Sequence, residues 1–164
     1  MQKLTHLTDD GEAHMVDVGG KGETSRRAVA SARVRTTAAV VHAVVAGEVP
    51  KGDVLAAARV AGVMAAKKAA ELIPLCHPVR LTYVTIEIES DEDGRTLRVR
   101  ATAEAVDRTG VEMEAMVAAS VASLTVYDMI KSADRWAVID AVRLESKSGG
   151  KSGDVTRPPD RGGA

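Results

Sequence analysis

The chain has no phenylalanine, one tryptophan, two tyrosines and one cysteine in 164 residues. Modules that stack RNA bases on exposed strand aromatics need Phe or Tyr there, and Tyr83 is the only aromatic in any strand the pattern suggests. Nor does one charge dominate: 22 Lys and Arg against 23 Asp and Glu leave a net charge of -1, which offers no global attraction for polyanions. Nucleic-acid binding is therefore not expected. The longest uncharged stretches, Thr36–Gly47 and Ala115–Tyr127, span 12 and 13 residues. Both fall short of the roughly 18 that suggest a membrane span. The opening MQKLTHLTDDGEAH carries no apolar signal stretch. Cys76 alone cannot form an internal disulfide, so a reducing cytoplasm is the expected compartment.

What is abundant is small. The chain holds 27 Ala and 23 Val against 14 Leu and Ile. At roughly 25 cal/mol per Å² of buried apolar area, such a core gains less per residue than one of Leu and Phe. One domain is expected from the length, with buried subunit contacts making up the deficit.

Arg27–Arg35 alternates weakly, as a strand would, and TTAAVVHAVVAG reads as a short helix closed by Gly47. After Pro50 a second helix runs towards Leu72. Val54, Ala57, Ala58, Ala61, Ala65 and Leu72 form its stripe, while Leu55, Val60 and Val63 lie outside it, so burial on several sides is expected. The loop IPLCHPV ends it, because Pro74 and Pro78 cannot continue a helix. Leu81–Glu89 alternates clearly and pairs across SDEDG with the run from Leu97 to Ala105, a hairpin with one wet face. The spacing Thr109-Gly-Val-Glu112 predicts a capping box and a helix running to about Lys131, apolar on every side from Ala115 to Tyr127. AVIDAVRLE supplies a last strand.

The order of strand, helices, strand, strand, helix, strand predicts an α+β, ferredoxin-like split βαβ fold, an antiparallel sheet with helices packed on one face. A single domain is expected over residues 1–155, with 156–164 as a disordered tail of Pro, Gly and charge.

Polar residues gather at the ends of apolar elements, where sites are usually built. They are Lys51, Cys76-His77, Glu112, Glu114, Asp128 and Lys131. Each has a plainer reading: Glu112 as half of the capping box, Glu114 and Lys131 as complements to the helix dipole, Asp128 and Lys131 as a surface pair at i and i+3. Glu114 and Asp128 lie 14 residues apart on one helix, about 21 Å at 1.5 Å per residue. They cannot flank one small reacting centre within one chain. One is structural, or the substrate is long, or two subunits build the site. With no second Cys and no HxH or CxxC spacing beside His77, no metal site is expected. The tail's GGKS lacks the first glycine of a nucleotide phosphate loop, since Glu145 stands there, and no helix follows it. Lys147 and Lys151 remain as charges on a glycine-rich segment.

Taken together, GEAHMVDV (residues 11–18), KGDVLAAARVAGVMAAKKAAELIPLCHP (51–78), TGVEMEAMVAASVASLTVYDMIK (109–131) and KSGGKSGD (147–154) resemble the cyclic pyranopterin monophosphate synthase family of molybdenum cofactor biosynthesis. The resemblance spans Leu4 to Asp154. It implies a ferredoxin-like subunit in a homohexamer, a trimer of dimers with sites at the dimer interface. It also implies a lyase reaction, the conversion of 3',8-cyclo-7,8-dihydro-GTP to cyclic pyranopterin monophosphate with loss of diphosphate. Under it, Leu75, Cys76 and His77 match a substrate-binding loop and Met113 with Glu114 a second binding segment. Asp128 matches the active-site acid or base, and Lys51 and Lys131 the essential lysines. Arg26, Lys67, Glu112 and Lys147 match supporting positions. No resident cofactor is implied, although Mg2+ can accompany substrate phosphates without a protein cage. The competing reading is a non-catalytic oligomer that binds a small molecule between subunits, since fold does not fix function.

Overall fold

The computed structural model describes residues 10, 12–151 and 153–159. Strand β1 (Thr24–Arg35) is the spine of the sheet: it pairs antiparallel with β3 (Thr96–Asp107) on one side and β4 (Val138–Ser148) on the other. Strand β2 (Leu81–Ser90) pairs outside β3, and the two-residue β5 (Val155–Thr156) outside β4, giving the order β2-β3-β1-β4-β5. This is the split βαβ arrangement, α+β with an antiparallel sheet, expected from the element order.

Alternation decides which face is dry. Ala28, Ala30, Ala32 and Val34 of β1, Leu97, Val99 and Ala101 of β3, and Ile86 and Ile88 of β2 join one core under the helices. The opposite face carries ion pairs, among them Arg27 with Glu104 and Arg33 with Asp140. Thr102 of that face is nonetheless buried, because β3 is an inner strand.

Helix α1 (Ala38–Ala46) is capped by the Thr37 side chain and closed by Gly47 at φ 72, the left-handed conformation glycine adopts without a Cβ penalty. Helix α2 (Val54–Ala66) starts at Asp53, whose carboxylate accepts from Ala56 N at 2.9 Å. It stops earlier than the proline loop predicts. Lys68 N donates to Ala65 O, a tightening of the last turn that separates off the short α3 (Ala69–Leu72). Nor is α2 buried on several sides within one chain: Val60 and Met64 are 60% and 56% exposed.

Helix α4 (Glu112–Ile130) lies against α2 and the sheet. It is long and apolar enough to cross a membrane, but nine of its residues, Ala118 and Val126 among them, are buried in this core. Gly62 permits the close approach of the two helices, since a Cβ there would stand 2.9 Å from Ile86 and 3.1 Å from the Ala118 carbonyl. The predicted capping box does not form: Val111 is the cap residue and no side chain caps the helix.

The glycine-rich segment after Glu145 pairs further along the chain than composition predicts. Strand β4 runs on to Ser148, and β5 with Arg157 N donating to Glu145 O (2.7 Å) holds residues assigned to the tail. The rest of that expected tail beyond Pro159, and the start of the resemblance at Leu4, lie outside the described residues.

Candidate active site

Two adjoining clefts open at the N-terminal end of α4. The smaller, about 310 Å3, lies between the loop Leu75, Cys76, His77, the first turn of α4 with Glu112 and Met113, and Val16 of the N-terminal segment. The larger, about 770 Å3, lies between the start of β1, the turn Arg108–Val111 and the β4–β5 turn. Lys21, Thr109, Gly110 and Glu112 line both.

The larger cleft is basic. Lys21, Arg26, Arg27, Arg108, Lys147 and Lys151 line it, with Glu112 as its acidic member. Its walls are tied by Arg26, which donates to the carbonyls of Asp107 (3.3 Å), Arg108 (3.3 Å) and Gly149 (3.5 Å). Gly149 and Gly150 allow this. Their φ values are 89 and 75, and a Cβ on Gly150 would stand 1.6 Å from the Arg26 guanidinium. Across the cleft Lys147 Nζ donates to Glu112 Oε1 at 2.8 Å. That bond, rather than a cap, holds the Glu112 carboxylate, and Gly110 leaves it room. Lys147 is therefore a strand residue with a partner, not a free charge on a loose segment.

Behind the smaller cleft stands Glu114, 2% exposed. Cys76 lines the cleft and Glu114 does not; Cys76 Sγ is 3.7 Å from Glu114 Oε1 and 3.5 Å from the His77 carbonyl. Among the described residues, Glu114 Oε2 is buried without a partner. Burial raises the Glu114 carboxyl above the usual carboxylate range, because water no longer stabilises its charge. Burial first, then interaction with the Glu114 and Glu112 carboxyls, pushes the Cys76 thiol up to about 11.

Lys51, Asp128 and Lys131 form a separate cluster at the far end of α4. Lys51 Nζ donates to Asp128 O at 2.7 Å and approaches Oδ2 at 3.4 Å; Lys131 Nζ donates to Oδ1 at 2.6 Å. The i, i+3 pair read from sequence is present, with Lys51 as a third member. Hydrogen bonding and charge from Lys131, then the charge of Lys51, hold Asp128 below its usual range, and Asp128 in turn raises Lys131. All three side chains are exposed.

One chain thus brings together Arg26, Leu75, Cys76, His77, Glu112, Met113, Glu114 and Lys147, and separately Lys51, Asp128 and Lys131. Helices α2 and α4 run antiparallel, Lys51 against Asp128 and Gly62 against Ala118, so exposed Lys67 sits at the Glu114 end of the pair. Lys21 and Arg108 carry no signal in the sequence, where they are isolated cations; Arg108 donates to Gly19 O and fastens the N-terminal segment to the cleft.

The model of the MoaC family matches residues 15–150. A protein of Herpetosiphon aurantiacus named cyclic pyranopterin monophosphate synthase is 57% identical over 155 residues, 94% of each chain. Proteins of the same name from Corynebacterium efficiens and Brucella ovis are each 55% identical, over 94% and 93% of this chain and 98% and 92% of their own.

Proposed function

The chain belongs to the MoaC family, and from that premise we propose that its two clefts bind the cyclised GTP substrate and that a second copy completes the site. The function is cyclic pyranopterin monophosphate synthesis, a lyase step of molybdenum cofactor biosynthesis that acts on a small GTP-derived molecule. The observation that carries the two-copy reading is the separation of the lysine cluster from the clefts, about 21 Å along α4 at 1.5 Å per residue.

The guanine-derived end takes the smaller cleft, with His77 and Met113 against it and the buried Glu114 behind. The triphosphate takes the larger one, where Lys147, Lys21 and Arg108 neutralise the charge that grows as a sugar hydroxyl attacks the α-phosphorus and diphosphate leaves. Mg2+ enters on the substrate phosphates rather than in a protein cage. Opening the purine-derived ring and closing the pyrazine needs several proton transfers. Lys51 and Lys131 of a neighbouring subunit supply them, poised by Asp128 between them. Apolar Val60, Met64 and Leu124, exposed in one chain, support an oligomer, which we take as a trimer of dimers. A reducing cytoplasm suits the single free thiol.

The test uses the cyclised nucleotide and a diphosphate assay. Lys51→Ala and His77→Ala should each abolish turnover while staying folded and oligomeric, and mixed oligomers of the two should regain part of it. No recovery in verified mixed oligomers would locate the site within one chain.

A further inference from the structure

Cys76 Sγ faces two acceptors, Glu114 Oε1 at 3.7 Å and the His77 carbonyl at 3.5 Å, yet a thiol has one proton. That single proton turns between them, Cys76 donating to whichever acceptor it faces. The pocket around Glu114 favours its neutral form. Glu114 is 2% exposed, its Oε2 has no partner among the described residues, and the carboxylates of Glu112 and Asp107 act on it, while Lys147 is paired with Glu112. A charge on Glu114 would be buried and uncompensated. Cys76 lines the cleft, and its Sγ touches this acid.

We propose that Cys76 is a proton relay between buried Glu114 and the substrate, its thiol turning from the His77 carbonyl to a ring nitrogen in the cleft. This rests on the proposed placement of the guanine-derived end. In the forward transfer the Sγ–H bond breaks as a nitrogen–H bond forms, and the Glu114 O–H bond breaks as a new Sγ–H bond forms. Sulfur ends as a thiol, Glu114 as a carboxylate. A later proton loss from the ring runs the chain backwards and restores the acid, so no redox partner is needed. A thiol whose ionisation burial opposes fits a relay that never dwells as thiolate. Glu114 is then a positioning and proton-storing residue that acts through sulfur.

The experiment measures kcat and KM of Cys76→Ser, Cys76→Ala, Glu114→Gln and Cys76→Ala/Glu114→Gln, with oligomer size and helical circular dichroism as controls. Cys76→Ala should lower kcat about a hundredfold, the scale of one positioned proton donor, with KM changed less than about threefold. Cys76→Ser should regain most of kcat, because a hydroxyl relays as a thiol does. The double variant should be no slower than its slower parent. Effects that multiply in the double variant, or a Cys76→Ser as slow as Cys76→Ala, would overturn the relay. Should Glu114→Gln fail to fold, the comparison of Ala with Ser at Cys76 decides alone. A wild-type enzyme that released no diphosphate would instead count against the site reading itself.

Discussion

Glu112 Oε1 accepts from Lys147 Nζ at 2.8 Å, and this bond joins the first turn of α4 to the end of β4 across the larger cleft. It explains why the capping box is not made. A carboxylate that turned back to cap the helix would leave Lys147 unpaired at a partly enclosed site. The pair instead holds a cation beside the anionic ligand's path and fixes the distance between two walls.

Lys147→Ala should therefore damage binding more than stability. The pair is only partly buried, so its removal should cost about 1 kcal/mol or less in urea unfolding. KM for the cyclised nucleotide should rise roughly tenfold or more, the loss of one charge-assisted contact of about 1.5–3 kcal/mol, while Lys147→Arg keeps most of the affinity. A Lys147→Ala enzyme with unchanged KM would remove the residue from the triphosphate path.

The β4–β5 turn offers a sharper comparison. Gly150 and Gly153 share left-handed backbone, with φ of 75 and 66. A Cβ on Gly153 meets open space, whereas one on Gly150 meets the Arg26 guanidinium at 1.6 Å. Gly153→Ala should cost only the backbone term, about 1 kcal/mol. Gly150→Ala should cost that and also displace Arg26 from the Asp107, Arg108 and Gly149 carbonyls, about 2–4 kcal/mol in all. Thermal melts of the two variants check the difference; equal losses would mean Arg26 does not hold the walls.

How far the sequence foretells this molecule depends on the range of the interaction. The β2–β3 hairpin is legible because alternation of Val84, Ile86 and Ile88 with Thr85, Glu87 and Glu89 is a local signal, and so is Gly47, whose conformation follows from the adjacent helix end. The candidate clefts are half legible. Cys76, His77 and Glu114 stand out as polar residues at element ends, but only the folded chain shows Glu114 lying behind Cys76 rather than on the cleft wall. What escapes is long-range. Lys147 takes Glu112 from its local cap, Arg26 spends its guanidinium on carbonyls 81 and 123 residues away, and β4 captures β5 from a stretch whose composition is that of a loose tail. The helix break at Lys67–Lys68 has no local breaker residue at all.

Glu114 and Asp128 give the protein opposite pH dependences. The folded-state pKa of Glu114 is raised above its ordinary 4.5, so its unfolded form loses a proton first as pH rises. Over that window the folded state binds more protons, and stability falls with increasing pH. Asp128 is lowered below its ordinary 3.8, so its contribution is present above that value and is lost as pH falls through the folded pKa. Glu114→Gln should match the wild type most closely in acid and gain on it as pH climbs past 4.5, because Gln has no charge to bury. Asp128→Asn should behave in the reverse sense and weakly, since its carboxylate is exposed. Melting temperatures of the three proteins across this range supply the check. A gap between Glu114→Gln and wild type that stays constant with pH would mean that the buried carboxyl titrates alike in both states, and the acid behind Cys76 would have to be given up.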